Sequence, residues 1–427
     1  MFAMHRRDFA RLLALSGTAA LWPGRAWAGA DVTTAPLPQT PARPGEAFWL
    51  DVRRRFLIPP DVTFLNAANL CPASLPAIEA HEKHLRAYEA DPSPGFRSGL
   101  MQAREEARRL LAAALRVTPE EVVITRNTSE SNNFVSSGLD FKAGDEVVVW
   151  ADNHPTNLNA WRTKAQRFGF TVVTVPTPAS HPGADGYVDL FTRAFTPRTK
   201  LVAITHVSSN SGDLLPAAEI CAAARARGIL SLVDGAQAFG VLDLDLGAMK
   251  PDFYTGSMHK WPCGPKEKGL LYINRLVHDR IHPSIVGLYG GQVGISRTFE
   301  ANGQRDDASI AAVVEGVKFQ DGMGRRTIEA RSKALAEALM DGLAKLPGVK
   351  LWTDRASDRH AAIVIFQPGS LDVRRLGPAL LEKNKIVCTT RGGQQNPGLR
   401  LSPHFFNTMD EMERTVAAIK GYLATGL

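Results

Sequence analysis

Between residues 122 and 233 the chain alternates short apolar runs with longer segments whose apolar positions recur at helical spacing. The short runs, 122–125, 146–150, 171–175, 201–205 and 229–233, are rich in valine and isoleucine and predict strands. The segments 129–138, 156–168 and 216–227 between them predict helices. Such alternation gives a mostly parallel sheet covered on both faces, an α/β fold. Upstream, residues 64–69 read as a strand running into a loop, and helices are expected over 76–88 and 100–115. After Asn274 the rhythm loosens. Residues 287–292 form a glycine-rich loop expected to be mobile, followed by helices over 308–320 and 328–346. Strands at 361–366 and 386–389 with helices at 372–383 and 409–424 predict a second, smaller α/β unit. No internal repeat shows. The expected organisation is an N-terminal arm or linker over 29–60, proline-rich to residue 45, a large domain over 61–300 and a small one over 301–427, with contributions to the latter from the N-terminal segment.

The first 28 residues change the picture. His5-Arg6-Arg7-Asp8-Phe9 precedes an apolar run over 12–21 and then Ala26-Trp27-Ala28. A positive start, an apolar middle and a small-x-small end describe a secretory signal, too short for a lasting membrane anchor. The paired arginines before Phe9 resemble the twin-arginine signal, although an ordinary secretory signal can also carry them. Export of the folded protein through the twin-arginine machinery to the periplasm is therefore the expectation. The formal charge of +7 includes four arginines and one aspartate in that signal, leaving +4 on the mature chain. With no aromatic-interleaved basic stripe, that balance gives no case for a nucleic-acid partner. At 427 residues with 44% hydrophobic and 22% charged content, the chain has ample core for an ordinary globular enzyme. The four cysteines, Cys71, Cys221, Cys263 and Cys388, show no metal-like spacing, so no metal is expected and they read as isolated, mostly buried thiols.

Candidate chemistry concentrates between residues 229 and 260. A buried strand runs into Asp234-Gly235-Ala236-Gln237, and a second strand leads to Gly256-Ser257-Met258-His259-Lys260. A carboxylate, a covalent amine and nearby hydroxyl and imidazole donors suit pyridoxal phosphate (PLP). Lys260 would supply the amine, which a desolvated pocket activates by favouring its neutral form. Asp234 would face the ring nitrogen, though a strand-end aspartate also serves to cap a turn. Gln237 could donate to the ring's phenolic oxygen. Thr125-Arg126-Asn127-Thr128-Ser129-Glu130 follows a strand and opens a helix, so its N–H groups and hydroxyls could bind phosphate; the same string is also a capping signal. His154 lies just beyond a strand, where an imidazole could stack on the cofactor. Asp234, His206, Asn153-His154 and Thr125 all fall at the carboxyl ends of expected strands, where open α/β sheets bind ligands.

Taken together, Thr-Arg-Asn-Thr-Ser-Glu (125–130) with Asn133, Asn-His (153–154), His-Val-Ser (206–208), Asp-Gly-Ala-Gln (234–237), His-Lys (259–260) and Arg-Leu-Ser (400–402) resemble the class V aminotransferase family on the fold-type I PLP scaffold. The likeness runs over about residues 60–424 and is strongest to the cysteine desulfurase and isopenicillin N epimerase-like branch. It implies Lys260 as the cofactor-binding lysine, Asp234 and Gln237 on the ring and His154 stacked over it. It also implies Thr128, Ser129, Ser257 and His259 at the phosphate, Arg400 on the substrate α-carboxylate, and a homodimer. There are departures. Desulfurases of this branch carry a cysteine before the carboxylate arginine, whereas 391–397 here contains no thiol and Cys388 precedes it, which disfavours desulfuration. Gly303-Gln304 stands where the family has Gly-Thr reaching a partner's phosphate, and Ser209 stands where asparagine is usual. An export signal on this family resembles its periplasmic pyoverdine-maturation branch, which implies conversion of a siderophore's glutamate side chain to a succinamide. A transaminase or epimerase on a free amino acid, and a PLP-fold protein that binds without catalysis, are the competing expectations.

Overall fold

The computed structural model describes residues 32–391 and 396–427. The export signal expected over 1–28 and the centre of the 391–397 loop lie outside the described residues. In chain order the strands are β1 Thr63–Phe64, β2 Val122–Thr125, β3 Glu146–Trp150, β4 Thr171–Val175, β5 Thr199–Thr205, β6 Leu230–Asp234 and β7 Phe253–Ser257. There follow β8 Gly269–Ile273, β9 Val349–Leu351, β10 Val364–Pro368, β11 Ile386–Val387, β12 Thr389–Arg391 and β13 Gly398–Leu401.

Seven strands in the order β2-β8-β7-β6-β5-β3-β4 make the central sheet. β8 runs antiparallel to β7 and β2, and the pairs among β7, β6, β5, β3 and β4 are parallel. β8 reverses because the chain returns from β7 directly through the Lys260 loop, with no crossover helix between. Successive side chains alternate faces. Val148, Trp150, Val202, Ile204 and Val233 enter one apolar core, and Val147, Val149, Leu201, Ala203 and Leu232 enter the opposite one. Burial on both faces explains the unbroken apolar runs Val147–Trp150 of β3 and Leu201–Ile204 of β5. The helix Asp307–Met323, buried on nearly every side, packs on the helices Leu75–Ala90 and Pro94–Leu115 beside the first of these cores.

The second unit is an antiparallel sheet, β12-β13-β10-β9. Arg325–Leu343, Val373–Asn384 and Met409–Thr425 supply its helices, around Leu335, Leu339, Phe366, Leu376, Leu380, Met412 and Ile419. The N-terminal segment joins this unit: β1 pairs in parallel with β11, and Leu65 enters its core. Within the stretch expected as a linker, Glu46–Arg53 is a helix that buries Phe48, Trp49 and Val52. The preceding arm is held down by Thr40 Oγ1 donating to the Gly322 carbonyl (2.9 Å) and by Arg55 donating to those of Ala35 (3.2 Å) and Pro36 (2.8 Å).

Several expectations needed correction. β8, β9, β13 and the helix Gly183–Arg193 were not anticipated, and the strand expected over 386–389 divides into β11 and β12, which belong to different sheets. Within the glycine-rich loop, Arg104 Nη1 donates to the Tyr289 carbonyl (3.0 Å) and Gly291 N to the Ser296 carbonyl (3.0 Å), while Leu288 and Tyr289 are exposed. Two of the cysteines expected as isolated thiols, Cys71 and Cys263, touch each other.

Candidate functional site

Thr205, Asp234 and Ser257 end the neighbouring strands β5, β6 and β7, and Thr125 ends β2 across the antiparallel β8, on the side of the sheet where the loops open a cavity of about 740 Å³. The cavity is lined by Thr128, Ser129, His154, Asp234, Gln237, Ser257, His259, Lys260 and Arg400, so the structure brings together the residues expected to hold cofactor and substrate; His206, also expected at a strand end, lies outside that lining, buried with its Nδ1 at 3.1 Å from the Tyr254 hydroxyl. This is where an open α/β sheet binds its ligand.

Lys260 sits in the loop between β7 and β8. Burial pushes its amine down to about 8, with Asp234 opposing that shift and Arg400 adding to it. An ammonium at that value is neutral for part of the time at physiological pH and so can act as a nucleophile. Asp234 is buried; its Oδ2 accepts from Asn132 Nδ2 (2.9 Å) and its Oδ1 from the Ala236 N–H (3.1 Å). Asn132 is held in turn by Thr255 Oγ1, which donates to its Oδ1 (3.2 Å). Gly235 has no side chain because a Cβ there would lie 2.2 Å from the Tyr254 ring. Gln237 is fixed at both ends, its Nε2 donating to the Ala68 carbonyl and its Oε1 accepting from Trp261 Nε1. One amide hydrogen remains for a ligand.

The anion-binding end lies at the start of the helix Thr128–Gly138. Asn127 caps it by accepting from the Glu130 N–H (3.0 Å), while the Thr128 N–H (2.9 Å) and Thr128 Oγ1 (2.7 Å) meet Ser257 Oγ. Gly269, the first residue of β8, lets this turn approach: a Cβ there would stand 2.7 Å from Asn127 Cα. His259 borders the same cavity; burial, then Lys260 and Lys266, push its imidazole down to about 4. It is therefore a neutral hydrogen-bonding group at neutral pH. A helix N-terminus with two hydroxyls and an imidazole is well suited to phosphate.

His154 is the N-cap of the helix Pro155–Phe168, its Nδ1 accepting from the Thr156 N–H at 3.3 Å. That bond assigns the proton of the neutral ring to Nε2. His154 is exposed at the cavity, and partial desolvation there and then the charge of Lys260 push its pKa down.

Arg400, on β13, is buried in the opposite wall. Its Nη1 reaches the Ser209 carbonyl and its Nη2 reaches Thr389 Oγ1, each at 3.4 Å, while Nε has no partner. Burial and then Arg391 push the guanidinium down to about 9. A buried cation with two long bonds to neutral groups is poised to gain from an incoming carboxylate.

The donor set fits PLP: phosphate donors at the helix start, an activated amine, a buried carboxylate for a ring nitrogen and a cation for the substrate's acid. Two contributors were missed. Asn132 could have been found four residues, one helical turn, after Thr128 on the same face. Trp261, which orients Gln237, carries no sequence signal beyond its place next to Lys260. None of the cavity's described lining residues is a cysteine. Burial pushes the Cys388 thiol up to about 12.

The model of the family described as "Aminotransferase class-V" matches residues 65–414. Isopenicillin N epimerase of Streptomyces clavuligerus is 31% identical over 397 residues, covering 87% of this chain and 98% of that protein. A probable cysteine desulfurase of Pyrococcus abyssi is 28% identical over 400 residues, covering 87% and 96%. Among solved structures, C-DES with glycine covalently linked to its PLP cofactor superposes with a TM-score of 0.80 at 25% identity, over 86% of this chain and 98% of that one. The apo cysteine desulfurase of Thermococcus onnurineus gives 0.79 at 25% identity, over 88% and 98%.

Proposed function

The chain belongs to the aminotransferase class-V family of PLP-dependent enzymes, and from that footing we propose that it is an exported enzyme acting at Cα of a glutamate side chain on a pyoverdine siderophore, converting it to a succinamide with dioxygen as the oxidant and carbon dioxide and water as the other products. The observation that carries the amino-acid part is Arg400, buried with an unpartnered Nε on the cavity that also holds Lys260 and Asp234. An amino-acid moiety with free α-amine and α-carboxylate meets both needs, and such a glutamate arm keeps both. The export part rests on Arg6-Arg7-Asp8-Phe9 and the apolar run behind it, and the siderophore on the pairing of that signal with this family.

PLP, when bound, weakens the bonds at Cα by drawing their electrons into its ring. The chain's own groups have separate tasks in this reading. Thr128, Ser129, Ser257 and His259 hold the phosphate. Asp234, fixed by Asn132, holds a proton on the ring nitrogen, and Gln237 donates to the ring oxygen. His154 covers the ring face. Lys260 would hold the cofactor through its amine and, with that amine free, would serve as a base beside Cα. Arg400 would hold the substrate's α-carboxylate and so orient the bonds at Cα. Two copies form the working unit. Desulfuration is disfavoured because residues 391–397 hold no thiol and that of Cys388 is raised by burial.

A second reading, epimerisation or transamination of a free amino acid, is favoured by the similarity to isopenicillin N epimerases. The first test is the visible spectrum of the purified protein, in which a borohydride-reducible band is expected and should be lost in Lys260→Ala. Absence of that band from the native protein overturns every enzymatic reading. Incubation with a glutamyl pyoverdine precursor, oxygen and PLP should then change the precursor's mass to that of the succinamide. An unchanged precursor alongside turnover of free amino acids selects the second reading.

A further inference from the structure

Outside the cavity, one pair of nucleophilic side chains has no part in the function proposed above. Cys71 and Cys263 lie 192 positions apart in sequence, yet their sulfurs meet at 3.5 Å in a fully buried contact. The segments carrying them are joined on both sides of that contact: the Cys71 N–H donates to the His259 carbonyl (2.8 Å) and the Ser74 N–H to the Cys263 carbonyl (3.0 Å). Lys266 Nζ adds a bond to the Cys71 carbonyl at 2.7 Å. The two segments are therefore held side by side before any bond links the sulfurs, and a disulfide needs little more than side-chain rotation to reach its geometry. Cys263 also holds a left-handed backbone, φ 53°, that glycine would adopt without strain. A side chain kept at that cost supplies the second sulfur.

We propose that Cys71 and Cys263 are an oxidisable pair that closes into an intramolecular disulfide, locking a wall of the cavity to the loop that carries Lys260. Ala68 and Asn69, just before Cys71, line the cavity. Cys263 follows Lys260 by three residues, and its N–H donates to the Lys260 carbonyl (3.0 Å). The oxidant is a disulfide donor, either a small molecule or an oxidoreductase. One cysteine thiolate attacks a donor sulfur and expels the first thiol, leaving a mixed disulfide. The second cysteine then attacks the mixed bond and expels the other thiol. Two protons and two electrons pass to the donor. Burial holds the Cys263 thiol up and keeps donors out, so closure proceeds during folding or through local opening. The pair stands independently of the substrate reading, because it is measured on the sulfurs themselves.

The test uses the mature holoenzyme in glutathione redox buffer with denaturant just below its unfolding transition, so that burial cannot block exchange. After quenching, denaturation and alkylation, oxidised protein should show two free thiols instead of four, and digestion should yield one reducible peptide pair joining Cys71 to Cys263. Cys71→Ser and Cys263→Ser should each keep all three remaining thiols, and the wild-type peptide map decides the matter if either variant fails to fold. The oxidised wild type should melt several degrees higher than the reduced form. Four free thiols under these conditions, a stable glutathione adduct, or a bridge involving Cys221 or Cys388 would overturn the proposal. An unchanged melting temperature would overturn the lock.

Discussion

At the scale of single residues, the site works by leaving charges unsatisfied where a ligand will satisfy them. Lys260 is held down to about 8 by burial, with Arg400 adding to the shift. In apoprotein its capture of added PLP, followed by absorbance, should therefore quicken about tenfold per pH unit below 8 and level off above about 9, as the neutral amine saturates. A rate flat across pH 6–8 would contradict an amine with that value. Arg400→Gln removes the cation facing the substrate's acid; charge-assisted bonds of this kind contribute about 1.5–3 kcal/mol, so kcat/KM should fall by roughly 10- to 100-fold, carried mainly by KM. Arg400→Lys should recover little, since a point charge cannot reproduce a two-pronged contact. Asn132 acts through Asp234. Asn132→Ala leaves Oδ2 without its 2.9 Å donor, and the cost of an orphaned buried acceptor, about 1–3 kcal/mol, should appear as at least fivefold weaker PLP retention on dialysis and a shifted cofactor absorbance. A fall in melting temperature with retention and absorbance unchanged would make Asn132 merely structural.

At the scale of elements, the site exists because the adjacent strands β5, β6 and β7 end together and a helix begins just beyond the end of β2, one strand further across the sheet. The sheet was legible in the chain wherever strands were valine-rich and separated by helices, from β2 to β6, and the ligand groups at their ends were legible with them. β8 escaped because it is a five-residue strand buried throughout, with no polar alternation and no preceding helix to mark it. β13 escaped because it carries a buried arginine, a residue that reads as surface until the cavity explains it. Contacts between distant segments, such as Asn132 on Asp234 or Trp261 on Gln237, leave no periodic trace. β8 also shows how an element shapes the anion end. A methyl group at Gly269 would press on the Asn127 backbone at 2.7 Å and on the Gly256 carbonyl at the same distance. Neither backbone can rotate away, so Gly269→Ala should destabilise the protein by about 1–3 kcal/mol and move the Thr128 turn away from Ser257. Denaturant melts would read the first effect and PLP titration the second. A variant as stable as wild type with unchanged affinity would show that the turn has slack there.

At the scale of the whole molecule, the question is what keeps the sheet unit and the long helices in one frame while the cavity at the strand ends takes a ligand. Glu300 lies at the meeting point, fully buried. It pairs with Arg108 on the helix Pro94–Leu115, accepts from the Ile124 N–H of β2 (2.6 Å) and has Arg305 at 3.5 Å. Arg108 also donates to the Val122 carbonyl at 2.8 Å, so one ion pair joins the edge of the sheet, a long helix and the segment leading to the helix Asp307–Met323. Burial alone would raise the Glu300 carboxyl, but Arg108 overrides it and the net shift is downward. Because the folded value lies below the unfolded one, the unfolded chain binds the extra proton as the medium becomes acid. The stabilisation is thus complete above the ordinary carboxylate range, near pH 4.3, and is lost as pH falls through the depressed folded value. Glu300→Gln leaves Arg108 buried beside a neutral amide, a break that costs about 3–5 kcal/mol in comparable pairs. Urea melts of wild type and Glu300→Gln should therefore differ by about that amount at pH 7, with a gap that narrows once pH falls below the ordinary carboxylate range and closes as it passes through the depressed folded value. A gap that stays constant down to pH 3 would mean that the side chain holds the frame by its shape and hydrogen bonds, and that its charge contributes nothing.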